Sequence, residues 1–337
     1  MAVDGKIERI LALYPDDCRP WATAPFEGAD AFSGAGIWKI QSDRGTLCLR
    51  RWPRDHPTQE RLEFIQAVLW HVDQEGFHRV PLPLETCHHH GYVWHEGHLW
   101  ELTPWLPGAA DFRQQPSPER LSNALEALAL FHRAAATFPL PEAGPTGSPG
   151  IAERRDRLAK LLAGHALQLG GSVPDGQWPE LAARARRLLG LFAAVGPGLL
   201  PHLDRAAAIR VELQPCIRDV WHAHVLFSGE RVSGIVDFGG MRPENVAADI
   251  ARLLGSMALD NRVDWQHGLT AYESIRPLSD NERTLVNAFD RSSVLLGGLQ
   301  WLEWIYLEGR TFSNPLAVLS RLDEFLARLE TLGQSLA

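Results

Sequence analysis

The chain is poor in several features that would each have named a class of protein. Its 337 residues contain four cysteines, Cys18, Cys48, Cys87 and Cys216, scattered and without a CxxC pair. A disulfide framework or a thiolate zinc site is therefore not indicated, and the reading is free thiols in a reducing compartment, the cytoplasm. No run of about 18 uncharged apolar residues occurs, so no membrane span is expected. The opening MAVDGKIERI lacks the basic-then-apolar pattern of a secretory leader. Positive charge is also short: the formal net charge is −8, which argues against a general nucleic-acid binder. No internal repeat and no low-complexity tail is present. What remains is an ordinary globular composition, 45% hydrophobic and 22% charged, on a chain long enough for two lobes.

The first third reads as strands around one helix. IWKIQSDRGTLCLRRW (37–52) alternates about a polar SDRG turn, which is the pattern of a hairpin. RLEFIQAVLWHVDQEGF (61–77) carries Leu62, Ile65, Val68, Leu69 and Val72 at helical spacing and stops at Gly76. GYVWHEGHLWELTPWLPG (91–108) gives a second hairpin across His95-Glu96-Gly97 and leaves through a Pro/Gly-rich bend. The remainder is mostly helical. Ser117 is expected to cap a helix with Pro118 in its first turn. Further helices are expected near 151–169 and 178–194, over AADIARLLGSM, and in a tail of about three segments. The fold class is α+β: a small antiparallel, strand-rich lobe at 1–105 and a larger helical lobe at 106–337, with the ligand expected in a cleft between them.

Inside the helical part stand two apolar strand-like stretches that each carry an aspartate. IRDVWHAHVLF (217–227) holds Asp219, His222 and His224, and GIVDFGG (234–240) holds Asp237. An isolated aspartate before an apolar run is usually a turn residue. A pair joined by a short turn suits phosphoryl transfer, which needs one carboxylate to orient the attacking hydroxyl and another to hold a hard cation. The D-x-x-H-x-H spacing also allows a hydrolytic metal site on Asp219, His222, His224 and Asp237. His88-His89-His90, with His95 and His98, reads as a solvated hairpin, and Trp301 and Trp304 as core on one helix face.

These motifs resemble the aminoglycoside phosphotransferase and choline kinase superfamily, which has the protein-kinase-like bilobal fold. Within it the chain is similar to the bacterial phosphotransferase enzyme family, near the spore-coat kinase-like and type II homoserine kinase-like groups. The resemblance rests on D-x-x-x-x-H at Asp219–His224, on the intact Asp237-Phe238-Gly239, and on Asp249-Ile250-Ala251 twelve positions after Asp237. It implies an ATP-dependent phosphotransferase acting on a hydroxyl of a small molecule, with Mg²⁺ as the ion and Mn²⁺ as the alternative. It implies Asp219 as catalytic base, Asp237 as metal ligand and Asp249 as the acid that braces the catalytic loop. Thr103 and Trp105 fall at the adenine-binding hinge, and Ser33, Gly34 and Gly36 fall at the phosphate-covering hairpin. Arg50 falls at the strand residue that meets the phosphates, with Glu60 or Glu63 as its acidic partner. Nucleotide and acceptor are the partners implied; nucleic acid and membrane are not.

Departures from the family pattern are specific. Ile217-Arg218 replaces His-Gly, His224 replaces the metal-binding Asn, and Arg50, or Arg51 beside it, replaces Lys, with Arg50 the favoured cleft residue. Imidazole suits Mn²⁺ or Zn²⁺ better than Mg²⁺. Arg keeps the charge of Lys but not its geometry. The alternative reading is accordingly a catalytically impaired, kinase-like protein that binds nucleotide or a partner without transfer.

Overall fold

The computed structural model describes residues 5–26, 34–141, 144–173, 178–312 and 314–336. In chain order the elements are helix α1 (Gly5–Leu11), strands β1 (Pro20–Pro25), β2 (Gly36–Ser42) and β3 (Gly45–Arg51), helix α2 (Gln59–Gln74), strands β4 (Val93–His95) and β5 (His98–Pro104), and helix α3 (Pro118–Ala135). Then come β6 (Thr146–Gly147), α4 (Pro149–Lys160), α5 (Ala166–Gly171), α6 (Pro179–Ala207), β7 (Arg210–Val211) and β8 (Gln214–Cys216). The last part holds β9 (Val225–Ser228), β10 (Arg231–Ile235), β11 (Arg242–Glu244), α7 (Ala247–Met257), α8 (Arg262–Glu273), α9 (Asp280–Leu302) and α10 (Pro315–Leu336). The class is α+β. The chain forms two compact units, one of Met1–Pro139, Asp219–Arg242 and Ser274–Arg276, the other of Leu140–Arg218, Pro243–Glu273 and Pro277–Ala337.

The first unit is built on a five-stranded sheet of order β1-β2-β3-β5-β4, antiparallel throughout. The two expected hairpins supply four of its five strands. β2 and β3 meet across the turn at Ser42↔Gly45, and β4 and β5 meet at His95↔His98. Glu96 (φ 50°) and Gly97 (φ 76°) make the second turn in the left-handed region, which glycine enters without steric cost. β1 was not legible in the sequence. It is an edge strand with no fully buried residue and a proline at each end, and its register shifts between Pro20 and Ala22.

The sheet buries Ile40, Leu47, Leu49, Trp100 and Leu102 against Ile7, Ile10 and Leu11 of α1. Helix α2 starts where Thr58 accepts the Arg61 amide and buries the predicted stripe Leu62, Ile65, Val68, Leu69 and Val72. Helix α3 starts at Ser117 with Pro118 in its first turn, as its sequence requires. It packs on α2 and on β10. The β9–β10 hairpin is tied to the exit bend by the Ala109↔Phe227 bridge, where a Cβ on Gly108 would lie 2.6 Å from the Phe227 carbonyl oxygen.

The second unit is helical. Its centre is α6, packed on α4, α9 and α10, with α7 on α9. The segment expected to be helical over 151–169 breaks at Gly164 (φ 129°), between α4 and α5. The one expected over 178–194 runs on to Ala207 through Pro197 and Pro201. Proline inside a helix costs about 3 kcal/mol, but the buried face continues past both prolines through Val195, Leu199 and Leu203. That packing keeps the helix going where local preference would end it. Among the described residues no helix is long and apolar enough to cross a membrane.

Candidate active site

Both candidate aspartates lie on the same strand–turn–strand unit. Asp219 precedes a short 3₁₀ turn, His222–His224, that leads into β9. Asp237 stands two residues past the end of β10. The β9–β10 pairing Ile235↔Val225 and the Val236 amide donating to the His224 carbonyl (2.9 Å) fix the two ends side by side. Asp237 has φ 65°, a conformation rare for a residue with a side chain and most tolerated by Asp and Asn. Gly239 permits close packing there, since a Cβ would sit 2.9 Å from the Trp52 ring.

His224 joins the two segments. Its Nδ1 lies 2.8 Å from the Asp219 carbonyl oxygen, so Nδ1 must carry the proton and donate it. Its Nε2 receives the indole N–H of Trp221 at 2.8 Å. The ring is therefore the neutral Nδ1–H tautomer with its lone pair engaged. The same Nε2 stands 3.6 Å from Asp237 Oδ2. The Asp219 carboxylate itself is exposed.

Arg50 comes from β3. Its Nη1 donates to Asp237 Oδ1 at 2.8 Å, and its guanidinium lies over the Trp52 ring at 4.5 Å. Arg51 turns to the other face, over Trp38 and Trp100. Burial pushes the Asp237 carboxyl upward. The Arg50 guanidinium, by its charge and its hydrogen bond, and the Gly239 amide offset this and hold it below the usual carboxylate range, so it is ionised at neutral pH.

The acid expected beside Arg50 is neither Glu60 nor Glu63. Glu60 is exposed, and Glu63 accepts from Tyr92 (2.7 Å) and Gln59 (3.1 Å). Instead Arg50 pairs in register with Glu101 of β5, a buried acid whose carboxyl is raised by desolvation. Gln66, the polar residue that α2 does bury, donates to Glu101 at 2.7 Å. Helical spacing alone could not show this, because Gln66 occupies a buried position among apolar neighbours.

Ser33 lies outside the described residues. Gly34 has φ 71°, and Gly36 opens β2 with the Trp38 ring 2.5 Å from where a Cβ would be. Thr103 is buried opposite Cys48, and the Trp105 amide donates to the Thr46 carbonyl (3.0 Å). Among the described residues neither shares a hydrogen bond or ion pair with Arg50 or Asp237. Asp249, in the second unit, is fully buried in the first turn of α7. Its carboxylate accepts the amides of Ile217 (2.7 Å) and Arg218 (2.5 Å), the two residues before Asp219. The histidines of 88–98 do not converge: His89 lies 3.2 Å from Glu85, and His98 bonds the Trp52 carbonyl at 2.8 Å.

A small antiparallel sheet, a mostly helical remainder and this arrangement of acids define the class of small-molecule kinases with the protein-kinase-like fold. The phosphotransferase enzyme family profile matches residues 32–280, and the chain belongs to that family. Similar curated proteins are the homoserine kinase of Beijerinckia indica, 26% identical over 87% of this chain and 85% of its own length, and that of Mesorhizobium japonicum, 25% identical over 69% and 67%. Among solved structures, a spectinomycin phosphotransferase with ADP and spectinomycin has a TM-score of 0.72 at 12% identity, over 99% of this chain and 100% of its own. A microcompartment-associated aminopropanol kinase has 0.67 at 14%, over 98% and 97%. These structural likenesses establish the fold.

Proposed function

We propose that this enzyme transfers the γ-phosphoryl group of ATP to a hydroxyl of a small molecule, with Asp219 accepting the hydroxyl proton and Asp237 holding the divalent ion. The observation that carries this reading is the pair of acids on one hairpin, their segments spanned by a single imidazole. In this reading residues 1–105 carry the nucleotide contacts, and residues 106–337 carry the two acids and the acceptor contacts. Adenine would meet the chain at Thr103 and Trp105, through the Trp105 carbonyl, since its amide is already engaged. Ser33, Gly34 and Gly36 would cover the phosphates and Arg50 would bind them. Asp249 would brace the base through its two amide bonds. Homoserine, the acceptor in the relatives' name, is the first compound to assay.

The residues fit a Mg²⁺ ion. Asp237 is an ionised oxygen donor, and Mg²⁺ is commonly held by one or two carboxylates with the rest of its shell from water and phosphate. Bound there, it would neutralise phosphate charge. Arg50 would have to leave Oδ1 for the ion, a move that also frees its guanidinium for phosphate. His224 would be a second ligand, and for this Trp221 must release Nε2. Trp221→Phe is accordingly expected to tighten Mn²⁺ about fivefold, the equivalent of one neutral hydrogen bond of ~1 kcal/mol. Electron paramagnetic resonance of free Mn²⁺ measures it, and an unchanged affinity removes His224 from the coordination shell.

The test of the whole reading is calorimetric titration of ATP with and without Mg²⁺ or Mn²⁺. The wild type should bind nucleotide with a strong metal dependence that Asp237→Ala abolishes. Wild-type protein that shows no metal-dependent binding overturns it. The Arg50–Asp237 ion pair and the occupied His224 lone pair favour one second reading, nucleotide binding without transfer. A phosphorylated product from a hydroxyl-compound screen, lost in Asp219→Asn, would rule that out.

A further inference from the structure

The helical unit carries a group of arginines for which the transfer chemistry above has no use. Arg218 stands where the family pattern has glycine, and it adopts φ 64°. Its side chain is 14% exposed, and Nη2 pairs with Glu153 at 2.6 Å. Arg154, one turn into α4, is half-buried. Its guanidinium lies over the Phe289 ring at 4.8 Å, and Nη1 donates to the Gly150 carbonyl at 3.3 Å. Among the described residues it has no carboxylate at ion-pair distance. Most of its five donors therefore lack a protein acceptor, while the aromatic ring fixes the plane in which they point.

The two arginines border the same backbone position. A Cβ on Gly150 would lie 3.3 Å from Arg218 Nη2, and Arg154 bonds the Gly150 carbonyl. Glu244 opposes the two cations only from a distance, because its oxygens accept neutral donors at the start of α4 and neither guanidinium: Oε1 accepts from the Ser148 hydroxyl (2.6 Å) and the Asn245 amide (2.8 Å), and Oε2 from the Gly150 amide (2.6 Å). The charges acting on Arg154 are the cations Arg218 and Arg252 and the carboxylates Glu244 and Glu153. Burial, then repulsion from Arg218, lowers the Arg154 guanidinium to about 10. A cation held against its neighbour in this way is relieved by an incoming anion.

We propose that Arg154 and Arg218 form a receptor for a carboxylate on the acceptor, so that the substrate is a hydroxy compound that bears a carboxylate. This rests on the phosphotransferase reading, and Arg218 is the residue immediately before the proposed base. A planar guanidinium matches a carboxylate with paired hydrogen bonds. Glu153 and Glu244 disfavour a dianion such as phosphate more than a singly charged carboxylate.

Calorimetry without nucleotide tests it, with 4-hydroxybutyrate and 1,4-butanediol as matched probes. The wild type should prefer the carboxylate by about tenfold or more, the usual scale for charge-assisted hydrogen bonds. Arg154→Gln should erase the preference, and Arg154→Lys should keep part of it. Should Arg154→Gln not fold, Glu153→Gln decides: freeing Arg218 from its partner should tighten 4-hydroxybutyrate severalfold, and no change overturns the proposal. Equal affinity for both probes, no binding of either, or a preference that survives in Arg154→Gln overturns it. Inorganic phosphate binding more tightly than the carboxylate, and lost in Arg154→Gln, overturns the carboxylate assignment. ATP–metal titration of the same proteins reads the phosphotransferase proposal separately, so either can fail while the other stands.

Discussion

Asp219→Asn is expected to lower acceptor-dependent ADP release by about 10²–10⁴-fold, the usual contribution of a positioned general base. ATP and metal binding should stay within about twofold of the wild type. The split follows from the geometry. The carboxylate is exposed, so the amide adds no buried unsatisfied group. His224 is tied to the Asp219 main-chain carbonyl and not to its side chain, so the substitution leaves that bond, and the 3.6 Å approach of His224 to Asp237, in place. In the proposed role, what is lost is the ability to accept the hydroxyl proton and to orient the attacking oxygen. Steady-state kcat and KM, with calorimetric ATP affinity, measure the effect. A fall of less than tenfold, or an equal fall in nucleotide affinity, removes Asp219 from the role of base.

The parts of the molecule that were legible in the sequence are those in which local pattern and global packing agree. Alternation about Ser42–Gly45 and about Glu96-Gly97 located both hairpins, because each turn residue has the backbone freedom its turn requires. Ser117-Pro118 located the start of α3 for the same reason. The Asp219/Asp237 pair was legible through spacing, since a strand, a tight turn and a strand leave their ends adjacent. The spacing of Asp249 also carried information, although an acid in the first turn of a helix is favoured by the helix dipole in any case.

Features set by non-local contacts were not legible. Helix α6 outlasts Pro197 and Pro201 because its face is covered by α9 and α10, neither of which is near it in sequence. The acid beside Arg50 was sought on α2, yet Glu101 sits one strand away, in a run where nearly every residue of β5 is buried and alternation says nothing. Trp221 reads as one of twelve tryptophans until its indole N–H is seen on His224 Nε2. Arg154 reads as one basic residue in a charged helix, because neither Phe289 nor the lack of a carboxylate partner is visible along the chain.

Asp249→Ala is expected to be the most destabilising change near the site. Its carboxylate is fully buried and accepts two backbone amides, the buried one of Ile217 and the part-buried one of Arg218. Alanine removes both acceptors and leaves the two amides without the carboxylate that satisfied them. Each costs about 1–3 kcal/mol, so a total of roughly 3 kcal/mol is a conservative expectation. At about 2–4 °C per kcal/mol for a chain of a few hundred residues, Tm should fall by roughly 5–10 °C. Asparagine should recover only part of this, because one of its two ends is itself a donor and would face an amide N–H. The damage should also be directional. Arg218 is held at φ 64°, a conformation that persists only where its surroundings impose it. Without the carboxylate the segment Ile217-Arg218 can relax to ordinary backbone angles and carry Asp219 away from its place. Turnover should therefore fall further than the loss of folded protein accounts for. Thermal melting together with hydrogen exchange at the Ile217 and Arg218 amides tests this. Protection retained at both amides, with Tm within about 2 °C of the wild type, would show that the turn before Asp219 holds its shape without Asp249.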